Sequence, residues 1–166
     1  MAFPALSPPF KALADRVVIE YRAALGDDLV AIALFGSVAR SQARPDSDLD
    51  VYVVTRRPSL GDPRLRAMWR RIEASPEHQA LVAEGYLPTP SPVPHTVDDL
   101  RRHPWILLDI AHHGIVLYDP ESLLERELDA VRRRMAQLGS RRVELPDGSW
   151  YWDLKPDWRP GEVVDL

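Results

Sequence analysis

At 166 residues the chain is long enough for one compact domain with a real core, and its net charge of −4 argues against a general DNA or RNA binder, which would carry a clear basic excess. It has no cysteine, which excludes disulfides and thiolate zinc sites. No apolar run approaches the roughly 18 residues that a membrane span needs, and no leader-like segment is visible, so the sequence points to a cytoplasmic protein without a membrane partner.

Residues 1–7 are expected to be loosely held. Ser7-Pro8 reads as an N-cap followed by proline in the first helical turn. Phe10, Leu13, Val17, Tyr21 and Leu25 then recur at helical spacing and Gly26 closes the run, which predicts a helix lying on a sheet. Val30 to Phe35 is continuously apolar, as expected of a strand covered on both faces. Gly36 permits a close backbone approach or a positive φ. Ser37 is placed to cap a short helix through Val38, Ala39 and Arg40. A helix N-terminus presents free N–H groups and partial positive charge, so it suits phosphate, and Arg40 and Arg44 add cations nearby.

Asp48 and Asp50 open a second apolar run that reaches Val54. Side chains two apart on a strand share a face, so these two carboxylates stand together while Leu49, Val51 and Val53 turn the other way. Paired carboxylates at a strand end make poor core and a good site for a hard cation such as magnesium.

After a polar loop carrying Arg56 and Arg57, Asp62-Pro63 caps a helix with Leu65, Met68, Trp69 and Ile72 on one side, and Ser75-Pro76 caps a shorter one to about Glu84. Arg64, Arg66, Arg70 and Arg71 read as a solvated face. The segment 87–96 has proline at every second position from Pro88 to Pro94, which fits an edge strand or a polyproline-like segment and not a central strand. Thr96 with Asp99 marks a helix start, and Pro104 begins a helix that runs to His113. The pair His112-His113 reads as a helix C-terminus better than as a metal site. Ile115 to Tyr118 is a short strand, and Asp119-Pro120 caps a long helix with Leu124, Leu128, Val131, Met135 and Leu138 in its stripe and Gly139 at its end. Arg132, Arg133, Arg134, Arg141 and Arg142 make a basic cluster. The tail reads as a hairpin around Pro146-Asp147-Gly148. Its Trp150, Trp152 and Trp158 need cover, from the core first, or from a nucleobase or a second copy of the chain.

Gly36-Ser37, Ala39-Arg40, Ser47-Asp48 and Asp50, set between two apolar strands, resemble the signature of the DNA polymerase beta-like nucleotidyltransferase superfamily, and within it the small "minimal" nucleotidyltransferases. The run from Gly114 to Asp119 and the tail Trp150 to Asp157 are similar to segments of small members of that family. The resemblance implies an α/β (α+β) nucleotidyltransferase fold: a small mixed sheet with helices packed on it, a core over about 8–139, and a Trp-rich, hairpin-like extension over 140–166, all in one domain. It implies that Gly36 and Ser37 grip the phosphates of an NTP, ATP above all, with Arg40 and Arg44 beside them. Asp48 and Asp50 then hold Mg²⁺ (or Mn²⁺) for two-metal transfer of an NMP group to a hydroxyl or amine acceptor.

Two departures stand out. Ser41 takes the place of the family's usual glycine, and the segment 87–96 lacks the third carboxylate that the family places on its third strand. Asp153, Asp109 and His95 are the candidates to replace it, with Asp153 preferred if its strand pairs beside the proline-rich edge. The rival reading is a catalytically weak or inactive NTP-binding protein of regulatory or antitoxin type, working with a helical partner chain. A homodimer also stays open.

Overall fold

A computed structural model of the chain describes residues 6–147 and 149–166. Residues 1–5 and Gly148, to which the loose N-terminus and part of the hairpin turn were assigned, lie outside the described residues. Helix α1 (Pro8–Leu25) starts with proline in its first turn and stops at Gly26, φ 54°. A 3₁₀ turn, Gly26–Asp28, leads into β1 (Leu29–Leu34), which is buried throughout. Then come α2 (Gly36–Ala39), β2 (Leu49–Thr55), α3 (Pro63–Glu73) and α4 (Pro76–Ala83). The carboxylate of Asp62 and the hydroxyl of Ser75 cap α3 and α4 by accepting from Arg64 N–H and His78 N–H. Next are β3 (Pro90–Thr96), α5 (Val97–Leu100), α6 (Ile106–His113), β4 (Ile115–Tyr118), α7 (Leu123–Leu138), β5 (Arg141–Glu144) and β6 (Trp150–Asp153). Thr96 and Asp99 cap α5 reciprocally. Ser122, not Asp119, takes the N-cap position of α7, yet the Asp119 carboxylate still accepts from Leu123 N–H and Glu125 N–H at 2.9 Å each.

The main sheet runs β3-β2-β1-β4. β1 pairs antiparallel with β2 and β4, while β2 and β3 run parallel, so the sheet is mixed. β3 is an edge, and its prolines explain how. Leu49 N–H donates to Thr89 O at 2.8 Å. Odd-numbered residues of this strand therefore aim their backbone groups at β2. Pro90, Pro92 and Pro94 aim theirs at the open edge, where no ladder bond is lost for want of an N–H.

Each face of the sheet has its own core. Ile32, Leu34, Leu49, Val51 and Val53 pack with α1, α3 and α4 through Leu13, Val17, Tyr21, Met68, Ile72 and Leu81. Ala31, Ala33, Tyr52 and Val54 pack with α5, α6 and α7 through Leu100, Leu107, Ile110, Leu124 and Leu128. Alternation along β2 thus puts Asp50 on the face of Tyr52 and Val54.

β5 and β6 pair with each other in a separate sheet. The hairpin is tied to the body by Trp152, whose Nε1 donates to Asp109 Oδ1 at 2.9 Å, and by Ser140 Oγ, which donates to Leu154 O at 2.6 Å. Trp152 and Leu154 also pack against the second core, as expected of buried tail aromatics, whereas Trp158 is 52% exposed. No helix among the described residues is long and apolar enough to cross a membrane.

Candidate functional site

The site forms where β1 ends and β2 begins. Phe35, the first residue past β1, still bonds across the sheet, its N–H donating to Asp50 O at 3.1 Å. Gly36 then turns the chain with φ +71°, and a Cβ built on it would lie 2.0 Å from Asp50 Oδ2. The bare Gly36 backbone therefore rests directly on the Asp50 carboxylate, and only glycine fits there. Ser37 follows as the second residue of α2. Phe35 is the N-cap and no side chain caps this helix, so Ser37 is not the cap that the sequence suggested. The turn is closed by Arg40 N–H to Gly36 O (3.3 Å) and Gln42 N–H to Ser37 O (2.9 Å).

Ser41 has φ +55°, the left-handed region that an L side chain adopts at a cost. Its place in the motif is a glycine's place for this conformational reason. Ser41→Gly is expected to raise stability by about 0.5–1 kcal/mol, the left-handed penalty less the entropy that glycine loses on folding, read from urea melts.

Asp50 is half-buried on the face of Tyr52 and Val54. Burial pushes its pKa above the ordinary carboxylate value; the Ser91 side chain and the Arg40 guanidinium pull the other way, and the charge of Asp48 pushes it up further. Asp48 sits one residue ahead of β2 and is exposed. Two carboxylates close enough to feel each other, one of them partly stripped of water, are stabilised as a pair by a bound cation. All-oxygen donors of this kind suit magnesium, which takes one or two carboxylates and completes its shell with water and phosphate oxygens. The residues present fit such an ion.

The structure brings Gly36, Ser37, Arg40, Asp48 and Asp50 together. The Arg44 side chain is 82% exposed, with Nε 3.9 Å from Asp46 Oδ1. Asp153 is not delivered to the acids. β6 pairs with β5 and not with the β3 edge, and Asp153 faces across that hairpin to Arg141, Oδ2 to Nε 3.1 Å. Asp109 is engaged by Trp152. His95 lies toward the far end of β3, opposite Val54, with its ring 5.2 Å from that of Tyr52. Among the described residues no group of three or more His, Asp or Glu is placed to hold a metal.

The residue that sequence reasoning passed over is Ser91. The parallel register sets it against Asp50, on the strand where the family resemblance implied a third carboxylate. The absence of any acid between Leu87 and Val97 was visible, but the register that singles out Ser91 was not. Two cavities, of about 210 and 190 Å³, lie elsewhere: one is lined by Asp28, Arg57 and Asp62, the other by Tyr21, Trp69 and Pro92, and neither includes Asp48 or Asp50.

Residues 16–129 match the family model described as a nucleotidyltransferase domain. No curated protein matches the chain in sequence. Among solved structures, a chain of a toxin–antitoxin crystal structure with AMP-PNP aligns at 15% identity and a TM-score of 0.49, covering 76% of this chain and 92% of that one. A chain of the MntA–HepT toxin–antitoxin crystal structure aligns at 15% identity and a TM-score of 0.44, covering 78% and 92%. A chain of the tri-AMPylated Shewanella oneidensis HEPN toxin in complex with MNT antitoxin aligns at 15% identity and a TM-score of 0.45, also covering 78% and 92%.

Proposed function

Because the chain belongs to the nucleotidyltransferase domain family, we propose that it transfers the NMP group of an NTP, ATP by preference, to a hydroxyl or amine acceptor. The observation that carries the reading is the contact of the Gly36 backbone with the Asp50 carboxylate, with Asp48 beside it. A phosphate turn and an acid pair share one short loop, so a triphosphate on the turn lies next to the carboxylates. In the reaction the acceptor oxygen or nitrogen bonds to the α-phosphorus and gives up its proton to water, the bond from that phosphorus to the bridging oxygen breaks, and pyrophosphate leaves.

Asp48 and Asp50 are the residues that would hold Mg²⁺, which when bound supplies charge neutralisation at the phosphates. The chain itself contributes position. The N–H groups at the start of α2 and the Arg40 guanidinium are the donors we assign to the phosphates, and the β1–β2 ladder fixes Gly36 against Asp50.

Ser91 in the third-acid place favours a second reading, in which the protein binds a nucleotide and transfers nothing. Calorimetry with ATP and Mg²⁺, followed by incubation with α-labelled ATP and a cell extract as acceptor source, separates the two. ATP binding that needs the cation, with covalent label transfer, is the expected result, and Asp153→Asn is expected to transfer at the wild-type rate. Binding without transfer leaves the second reading, and failure to bind ATP overturns both.

A further inference from the structure

The side chains at the end of α6 and on the C-terminal hairpin form a cluster that the proposed reaction does not use. α6 touches α2, and the field of the Arg40 guanidinium reaches both Asp50 and His113. From His113 the cluster runs on into the hairpin. Arg142 Nη1 lies 3.1 Å from His113 Nε2, and its guanidinium carbon stands 5.1 Å from the centre of the Trp150 ring. Trp152 packs edge-on to both Trp150 and His112.

The protonation pattern follows from the donors. Arginine only donates, so His113 Nε2 accepts, and the proton of the neutral ring sits on Nδ1 as an N–H donor. Burial, the neighbouring His112, and the charges of Arg142 and Arg40 all hold His113 below the ordinary histidine value, with Asp109 opposing them. The carboxylate partner of Arg142 is Glu144, two residues along the same strand, whose side chain is 69% exposed. A guanidinium held on a tryptophan face and neutralised by an exposed carboxylate is easily re-paired to a stronger anion.

We infer that Arg142, held on the Trp150 face beside His113, is a second phosphate-binding position on the side of α6 and the hairpin, near the helix that begins at Gly36. The ligand is a phosphate group that displaces Glu144 from Arg142. It is either the terminal phosphate of the bound nucleotide or a phosphate carried by the acceptor. The inference rests on the nucleotide reading above and gives the tail a part in the site.

The test uses the full chain, with ATP, AMP and inorganic phosphate as probes, in wild type, Arg142→Gln and Glu144→Gln. If the position takes the nucleotide's terminal phosphate, Arg142→Gln weakens ATP about tenfold and spares AMP, and Glu144→Gln tightens ATP. If it takes an acceptor phosphate, Arg142→Gln spares ATP but removes binding of inorganic phosphate to protein saturated with a non-hydrolysable ATP analogue, and Glu144→Gln strengthens that binding. The inference is overturned if Arg142→Gln leaves all probes unchanged or weakens ATP and AMP alike. It is also overturned if Glu144→Gln, on a largely exposed side chain whose loss leaves the fold intact, strengthens neither ATP nor phosphate. Wild type that binds no ATP sinks the nucleotide reading, and the phosphate position then stands only if inorganic phosphate binds and Arg142→Gln abolishes it.

Discussion

Asp50→Asn is expected to lower label transfer by at least roughly 10²–10³-fold, the range seen when one preorganised charge-stabilising group is removed, while raising the melting temperature in metal-free buffer. The two effects have one cause. Burial and Asp48 raise the Asp50 pKa, so the fold disfavours its ionised form. A carboxyl whose folded pKa lies above its unfolded value leaves the fold unpenalised below the unfolded pKa, and it costs stability as pH rises through the folded pKa. At neutral pH that cost is in force, and the neutral amide removes it. The gap in melting temperature between variant and wild type should therefore shrink as pH falls through the carboxylate range, and should also shrink when Mg²⁺ is added to wild type. A melting temperature that drops on substitution at pH 7 would mean that Asp50 holds the fold together and is not poised for a ligand.

Gly36→Ala is expected to be the more damaging change to the architecture. The new methyl carbon would fall 2.0 Å from Asp50 Oδ2, inside any tolerable contact, and φ +71° is itself unfavourable for alanine. The backbone conformation alone is worth about 1–3 kcal/mol, and either the carboxylate or the turn must also move. Denaturant melts should show that loss, and ATP affinity in Mg²⁺ should fall more than transfer can be measured to follow. Recovery of ATP affinity in Gly36→Ala/Asp50→Gly, where the room is restored but the acid is not, would point to the turn alone as the binding element. Continued loss would show that turn and acid act together.

Much of this was legible before any coordinates. The face on which Asp50 stands could be read because strand alternation is local, whereas Asp48 lies one residue ahead of β2, outside the strand to which sequence reasoning assigned both acids. The prolines at 88–94 correctly demanded an edge, because a missing N–H is a local property too. What could not be read was pairing between distant strands. The tail hairpin was visible, but Asp153 as a third acid needs its strand to join the β3 edge as well, and β6 pairs with β5 instead. Ser91 stayed hidden for the same reason, since only the parallel register with β2 sets it against Asp50. Ser37 failed as a cap because the helix starts at Gly36, two residues before the Val38 start that the sequence suggested, with Phe35 in the N-cap position.

The proline-bearing edge also limits how this molecule can associate. An incoming chain that tried to extend the sheet beyond β3 would meet the rings of Pro90, Pro92 and Pro94, which offer carbonyls and no hydrogens. Runaway strand-by-strand stacking is thereby blocked on the flank nearest Asp50. A neighbour seeking to add a strand is left with β4, four residues long, at the opposite margin.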